Sequence, residues 1–262
     1  MNRRRASLIA IAVLATAGLA IGDEWNQTYS TSGPAELRID TSDANVHIRG
    51  GDVHRIRARV TTIGWKIRPG EVRVVDKQTG NRVQIDIHIP RAFFSLGRQS
   101  VNIDLEAPRE TSAEIHTGDG RITAEGLRGE TRLTSGDGNI ETDILDGALD
   151  AETGDGQMKI RGRFDLLNIR TGDGGIDARI GEGSKMAGPW RIKSGDGSIT
   201  LRVPGGFAAD LDARAGDGKI SIDIPVTTSR QLKGNAIDGK INGGGPQLNI
   251  RTGDGTIRLE RY

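Results

Sequence analysis

The side chains most able to do chemistry in this chain are aspartates that recur at the centre of a Gly-Asp-Gly triplet. They are Asp119, Asp137, Asp155, Asp173, Asp196, Asp217 and Asp254, and a weaker Ile-Asp-Gly copy is centred on Asp238. A row of carboxylates at one corner of a stacked structure could hold Ca²⁺, which binds several oxygen ligands. Calcium-binding β-rolls use a much shorter repeat that is richer in Asp, whereas successive triplets here are 16 to 23 residues apart. We therefore expect each Asp to accept backbone N–H bonds within its own turn, with the calcium row as the lesser alternative.

Other catalytic or cofactor sites are not indicated. Glycine-rich phosphate loops lead into the N-terminus of a helix, but a strand-like segment follows each triplet here. The four histidines, His47, His54, His88 and His116, are scattered along the chain and favour no metal site. No Gly-x-Ser-x-Gly nucleophile motif occurs. We predict that the protein is not an enzyme and needs no cofactor.

The segments on both sides of each triplet alternate between apolar and polar residues. This is the pattern of a strand with one buried face. The position three residues after each Asp is apolar in every copy: Ile122, Ile140, Met158, Ile176, Ile199, Ile220, Ile241 and Ile257. The position four residues before the Asp is apolar or small: Ile115, Leu133, Ala151, Ile169, Ile192, Ala213, Gly234 and Ile250. Each repeat therefore predicts a strand, a tight corner and a second strand.

A structural unit copied at a fixed period near 20 residues is typical of a solenoid. We predict an all-β protein in which residues 111–262 form a β-solenoid of about eight stacked two-strand coils with Gly-Asp-Gly corners. An antiparallel meander with the triplets at its hairpin tips is the alternative, because Asp-Gly is also a hairpin signal.

One outward-facing row alternates in charge along the chain. It reads Glu114, Arg132, Asp150, Asn168, Arg191, Asp212 and Lys233. If the coils stack in register, each carboxylate faces a cation on the next coil, and such pairs contribute about 0.2–1 kcal/mol each. We interpret this row as a device that sets the register and keeps the surface soluble.

Residues 23–110 are strand-like but less regular, and the segment Thr41–Val46 resembles a degenerate copy of the repeat. We predict an irregular β section that is continuous with the solenoid and caps its N-terminal end. Within it, Phe93, Phe94 and Leu96 occupy one short loop. They either plug the open end of the stack, since solenoids need caps, or form an exposed contact for a partner.

The first 22 residues predict a signal peptide. Arg3, Arg4 and Arg5 precede an apolar run from Leu8 to Ala17, which is followed by small residues. We expect an exported protein of the periplasm or cell surface, with no integral membrane span once the signal is removed. The chain has no cysteine, which excludes disulfides and a lipoprotein anchor, and its net charge of +1 favours no nucleic-acid partner.

The last strand-like segment, residues 256–262, predicts an open edge at the C-terminal end of the stack. Unpaired strand edges invite strand addition. This edge is either tolerated because Arg258, Glu260 and Arg261 blunt it by charge, or used for weak end-to-end self-association. In the second case, replacing Ile257 and Leu259 with Lys should abolish the association while the upstream coils stay folded.

The export signal, the degenerate β section, the strand Val101–Pro108 and the serial Thr-Gly-Asp-Gly-x-Ile units together resemble the putative adhesin family, domain of unknown function 4097. The resemblance implies a β-solenoid-like domain in exported bacterial proteins, and the word adhesin implies surface binding. It supplies no catalytic residues.

These observations predict a non-enzymatic exported protein that acts as an adhesin-like binding or scaffolding module in the bacterial envelope. Its partner would be an envelope protein or a surface glycan. The alternatives are an accessory protein in envelope stress or signalling, with a protein partner, and a carbohydrate-active β-helix enzyme. The enzyme would require a cluster of carboxylates that breaks the repeat on one face.

Overall fold

The computed structural model describes residues 22–90, 99–232 and 234–262, without the side chains of residues 229–232. All regular secondary structure in these ranges is β-strand, as predicted. The predicted signal peptide, apart from Gly22, and the loop residues Phe93, Phe94 and Leu96 lie outside the described residues.

The strands follow one another along the whole described chain. The N-terminal section contains β1 (Glu24–Ser30), β2 (Ala35–Thr41), β3 (Asn45–Gly51), β4 (Arg55–Ile63), β5 (Arg73–Thr79), β6 (Arg82–His88) and β7 (Ser100–Pro108). The central section contains β8 (Thr111–Thr117), β9 (Ile122–Glu125), β10 (Arg128–Ser135), β11 (Ile140–Asp143), β12 (Leu145–Thr153), β13 (Met158–Thr171), β14 (Ile176–Ile180), β15 (Trp190–Ser194) and β16 (Ile199–Val203). The C-terminal section contains β17 (Ala209–Ala215), β18 (Ile220–Asp223), β19 (Val226–Leu232), β20 (Ala236–Ile241), β21 (Gln247–Thr252) and β22 (Ile257–Arg261).

The strands on the two sides of the corners stack into two parallel ladders. The pre-corner ladder runs in the order β6, β2, β8, β10, β12, the C-terminal part of β13, β15, β21, β17. The post-corner ladder runs in the order β7, β3, β9, β11, the N-terminal part of β13, β14, β16, β22, β18. Equivalent positions pair directly, as Ile122 does with Ile140 and Ile176 with Ile199. Because these pairings are parallel, the antiparallel meander is excluded for the repeats.

The core lies between the two ladders and is built by the predicted alternation. Ile115, Ile122 and Ile140 are fully buried, while the polar residues between the apolar rows face outward. At the wider turns the core takes in aromatic side chains, and the rings of Trp190 and Phe207 lie 5.6 Å apart. A buried Ile or Leu contributes roughly 1.5–3 kcal/mol, so the stacked rows supply most of the stabilisation.

The order of coils in the stack differs from their order in the chain at the C-terminal end. Strands β21 and β22 lie between the coil of β15 and β16 and the coil of β17 and β18. The predicted open edge at residues 256–262 is therefore wrong, because β22 is paired on both sides. The terminal strand of the post-corner ladder at this end is β18, where Ile220 and Ile222 are half-buried.

The predicted repeat centred on Asp238 is also wrong. This residue lies in the middle of β20, which pairs antiparallel with β17 and with β19. The Asp-Gly dipeptide there belongs to an extended strand and not to a corner. At the other end, β5 pairs antiparallel with β6, β4 with β7, and β1 with β4.

Candidate functional site

The triplet glycines lie where successive coils approach most closely. The N–H of Gly172 donates to the carbonyl oxygen of Gly154, and the same bond joins Gly154 to Gly136 and Gly136 to Gly118. A Cβ atom on Gly174 would overlap the carbonyl oxygen of Gly156. Glycine is therefore required here by the contact between backbones.

A buried row of hydroxyl groups fastens most corners to the corner of an adjacent coil. Thr171 Oγ1 donates to the carbonyl oxygen of Gly156 at 3.0 Å. The equivalent bonds run from Ser135 to Gly120 (2.9 Å), Thr153 to Gly138 (2.8 Å), Ser194 to Gly174 (2.8 Å) and Thr252 to Gly197 (2.8 Å). These side chains are at most 7 % exposed, so each bond satisfies a hydroxyl group that is shielded from water. We name this set the hydroxyl ladder.

The corner aspartates project into solvent, outside the hydroxyl ladder. All seven are exposed, and none of them accepts an N–H of its own turn in the described structure, which contradicts the predicted cap. The one side-chain bond in this column crosses between coils, from the N–H of Asp119 to Asp43 Oδ1 at 3.4 Å. Within the described ranges, no group of three or more His, Cys, Asp or Glu side chains is placed to hold a metal ion.

A polar groove runs along the post-corner side of the aspartate column. It consists of two shallow depressions that meet at Asn139, and we name them together the corner groove. The lining includes Asn102, Asn45, Asp119, Arg121, Asp137, Asn139, Glu141, Gln157, Lys159, Gly175, Asp177 and Ser198. Asn45 Nδ2 donates to Asn102 Oδ1 at 3.1 Å, and the N–H of Arg121 donates to Asn45 Oδ1 at 3.1 Å. The N–H of Gln157 donates to Asn139 Oδ1 at 2.8 Å. These bonds fix the amides, and the Nδ2 group of Asn139 makes no hydrogen bond to the described protein.

The corner groove crosses seven adjacent strands, from β7 to β16. At a spacing of ~4.8 Å it is about 29 Å long. It offers amide, carboxylate and guanidinium groups at the strand spacing, which is the chemistry of hydrogen bonding to a polar, extended ligand.

A family model described as Toastrack DUF4097 matches residues 37–260. The chain belongs to this family. No curated protein matches the chain.

Several solved structures are similar to this Toastrack chain at low identity. A putative cell adhesion protein from Clostridium sporogenes is 13% identical, with 92% of this chain and 100% of that chain covered and a TM-score of 0.44. A putative adhesin from Bacteroides fragilis is 12% identical, with 92% and 97% covered and a TM-score of 0.47. A putative lipid binding protein from Parabacteroides distasonis is 13% identical, with 92% and 98% covered and a TM-score of 0.41. No helix long and apolar enough to cross a membrane occurs in the described part of this Toastrack chain.

The charge row of this Toastrack chain follows the predicted alternation only as far as Asn168. Arg38 lies 3.9 Å from Glu114, Arg132 lies 3.6 Å from Asp150, and Asn168 donates to Asp150 at 2.9 Å. Beyond this point the expected pairing of Arg191 with Asp212 is wrong, because β21 places Asn249 between them. Lys233 lies outside the described residues.

Asp212 instead joins a charge network at the end of the pre-corner ladder. It pairs with Arg251, and Arg214 Nε lies 3.0 Å from its Oδ1 atom. Burial acts to raise the pKa of Asp212, but the hydrogen bond from Arg251 and the charges of Arg251 and Arg214 outweigh burial and hold this pKa below its ordinary value. Asp212 is therefore ionised and held in place at neutral pH.

The sequence contained a signal for both features that were missed. In most repeats the residue two positions before the Asp is Thr or Ser. The residue two positions after the Asp is polar in most repeats, as Arg121, Asn139 and Gln157 show. Alternation accounts for the burial of the hydroxyl residue at the end of each pre-corner strand, but not for its hydroxyl group. It also does not account for the polar residue just before most post-corner strands. Their roles depend on the neighbouring coil, which the local sequence does not specify.

Removing one hydroxyl of the ladder is expected to destabilise this Toastrack chain. Thr171→Val keeps the shape of the side chain but leaves the buried carbonyl group of Gly156 without this donor. We expect a loss of about 1–3 kcal/mol in the free energy of unfolding, measured by chemical denaturation. Thr200→Val is the control, because its side chain faces outward on β16. Equal stability of the two variants would contradict the role assigned to the ladder.

The same argument predicts that adding a hydroxyl group at the corner of β17 and β18 stabilises the protein, because Ala215 occupies the hydroxyl position there. Its corner approaches the adjacent coil as the others do, since a Cβ atom on Gly218 would overlap the carbonyl oxygen of Gly255. Ala215→Ser should therefore match or exceed the stability of the parent protein in the same denaturation experiment.

Proposed function

We propose that this Toastrack protein is an exported, non-enzymatic binding or scaffolding module of the bacterial envelope, at the periplasm or cell surface. Its partner binds in the corner groove. The observation that carries the proposal is the groove itself, in which the hydrogen-bonded amides of Asn45, Asn102 and Asn139 lie beside an exposed aspartate column. The hydroxyl ladder holds these groups in place before a ligand arrives, which lowers the cost of ordering them on binding.

The partner that this chemistry favours is a surface glycan. Carboxamide and carboxylate groups exchange hydrogen bonds with sugar hydroxyls, and an extended glycan would meet one set of groups on each coil. An envelope protein with an extended segment is the second candidate, which would place the protein in envelope stress or signalling. A carbohydrate-active enzyme is the third and is less favoured, because an acid and a base need unlike environments and the corner aspartates all share an exposed one.

The proposal includes the finer architecture. Residues 1–22 are a signal peptide, residues 23–110 cap one end of the stack, and residues 111–262 form a solenoid of about eight two-strand coils. Phe93, Phe94 and Leu96 remain candidates for a partner contact. End-to-end self-association remains a proposal as well, with β18 in place of β22 as the edge strand.

The groove variant Asn139→Asp with Gln157→Ala is expected to lose binding while remaining folded. Asp at position 139 keeps an oxygen that can accept the N–H of Gln157, but it replaces the free amide donor with a carboxylate. Retention of residues 23–262 by envelope material should fall about tenfold or more, as expected for several lost hydrogen bonds. Gln27→Ala on β1 removes an exposed carboxamide outside the groove and should leave retention unchanged.

The envelope material should be used intact and after protease treatment, to separate the candidate partners. Retention that survives proteolysis and is lost in the groove variant supports the glycan. Retention that disappears on proteolysis would replace the glycan with a protein partner. If neither preparation retains the parent protein, the proposed function is wrong.

A further inference from the structure

The pre-corner ladder carries one area where the alternation of charge stops. Six outward-facing residues on β13, β15 and β21 form it, and we name it the basic patch: Asn168, Arg170, Arg191, Lys193, Asn249 and Arg251. They pair across the strands as Asn168 with Arg191, Arg170 with Lys193, Arg191 with Asn249, and Lys193 with Arg251. The patch contains four cations and no carboxylate.

This arrangement is unfavourable for folding. Arg170, Lys193 and Arg251 occupy equivalent positions on three consecutive strands, and like charges directly opposite on paired strands are destabilising. Elsewhere on the same face, Glu114 lies opposite both Arg38 and Arg132, so that opposite charges alternate. In one row Asn168 and Asn249 flank Arg191 on both sides, whereas the row of Arg170, Lys193 and Arg251 contains no carboxylate.

The carboxylates next to the patch form ion pairs with its two outer arginines, and in the described structure they form none with the two cations at its centre. Arg170 lies 2.9 Å from Glu152, and Arg251 pairs with Asp212. The side chains of Arg191 and Lys193, on the central strand β15, are exposed and make no ion pair or hydrogen bond with the described residues. These two cations therefore remain free to bind an external anion.

We propose that the basic patch binds a phosphate or carboxylate group of an anionic envelope polymer. The planar guanidinium group can bind two oxygens of a carboxylate or phosphate through two hydrogen bonds, and ammonium adds a point charge. The flanking Asn168 and Asn249 supply amide groups beside the charged pair. Binding an anion would offset the repulsion between the stacked cations.

The surroundings of the patch favour an anionic group on a chain over a flat membrane surface. Carboxylates lie on either side of it along the stack, at Asp150 and Glu152 on β12 and at Asp212 on β17. The exposed corner residues Asp173, Asp196 and Asp254 follow its strands. A broad anionic surface would bring these carboxylates against like charge, whereas a narrow chain can contact the cations alone.

The test compares Arg191→Gln with Lys193→Gln against a control that removes the same charge elsewhere. The control is Lys240→Gln with Arg258→Gln, two exposed cations that lie outside both the basic patch and the corner groove. Inorganic polyphosphate and polygalacturonate serve as the phosphate and carboxylate probes, and vesicles rich in phosphatidylglycerol serve as the membrane probe. Affinity is measured for residues 23–262 at low and at physiological salt, and thermal unfolding confirms that both variants are folded.

We expect the patch variant to bind at least one polymer about tenfold or more weakly and with a shallower salt dependence, since fewer charge contacts are made. The control should bind like the parent protein. Equal losses in the two variants would show that binding follows overall charge, and the proposal would be wrong. It would also be wrong if the vesicles bound through the patch while neither polymer did, or if the parent protein bound no polymer. The patch is separate from the corner groove, so this result does not depend on the proposed function.

Discussion

Replacing Ile257 and Leu259 together with Lys is expected to unfold the C-terminal half of the protein. Both side chains lie in β22 and are at most 1% exposed. Ile257 pairs with Ile199 on one side and with Ile220 on the other, so β22 connects two coils. A buried charge without a partner costs several kcal/mol, and two of them approach the ~5–15 kcal/mol that stabilises a typical domain.

Far-UV circular dichroism and thermal unfolding of residues 23–262 measure this effect. Arg258→Gln is the control, since it alters the exposed residue between the two buried ones, and it should unfold close to the parent protein. Cooperative unfolding of the double variant near the parent temperature would contradict the insertion of β22 between β16 and β18. The sequence alone led to the opposite expectation, a double variant with intact upstream coils, because it placed this strand at a free edge.

The second large effect is expected from Ile176→Asp in the middle of the stack. Ile176 is 2% exposed and pairs with Met158 and Ile199 on the neighbouring strands. An aspartate there would lie in an unbroken apolar row with no cation facing it. We expect a loss of several kcal/mol in the free energy of unfolding, which is at the upper end for single substitutions.

Asp177→Asn provides the matched control one residue away. Asp177 faces outward and lies 2.5 Å from Arg202, which also pairs with Glu260 at 3.0 Å. Losing one exposed ion pair costs about 0–1 kcal/mol. Denaturation curves for the two variants should therefore differ widely, and similar midpoints would refute the alternation of buried and exposed faces.

Some features of the corner could be predicted from sequence and others could not. The glycines and aspartates of the triplet marked every true corner from Asp119 to Asp217 and also Asp254. The same Asp-Gly dipeptide at Asp238 was misleading, because that dipeptide suits a turn but does not exclude a strand. Its pairing with β17 places Asp238 opposite Asp212, where Arg214 binds both carboxylates. Only this long-range contact distinguishes the strand at Asp238 from a true corner.

The candidate sites depended still more on the neighbouring coils. The hydroxyl ladder and the corner groove use residues whose positions repeat in the sequence, but their hydrogen bonds reach from one coil to the next. The basic patch exists because β21 lies beside β15, which brings Arg251 next to Lys193 and Asn249 next to Arg191. In chain order, β17 would have followed β15 and placed Asp212 beside Arg191.

The sequence by itself determined the all-β class, the repeating strand and corner unit, and which face of each strand is buried. It did so because a strand exposes alternate side chains to opposite faces, and because glycine is needed where two backbones approach too closely to leave room for a Cβ atom. Only the tertiary structure decided which coil lies next to which. Every coil presents nearly the same apolar rows and the same backbone edge to its neighbours, so local patterns fit either order. The antiparallel β19–β20 hairpin on β17 and the insertion of β21 and β22 settle the order, through pairings between residues distant in the chain.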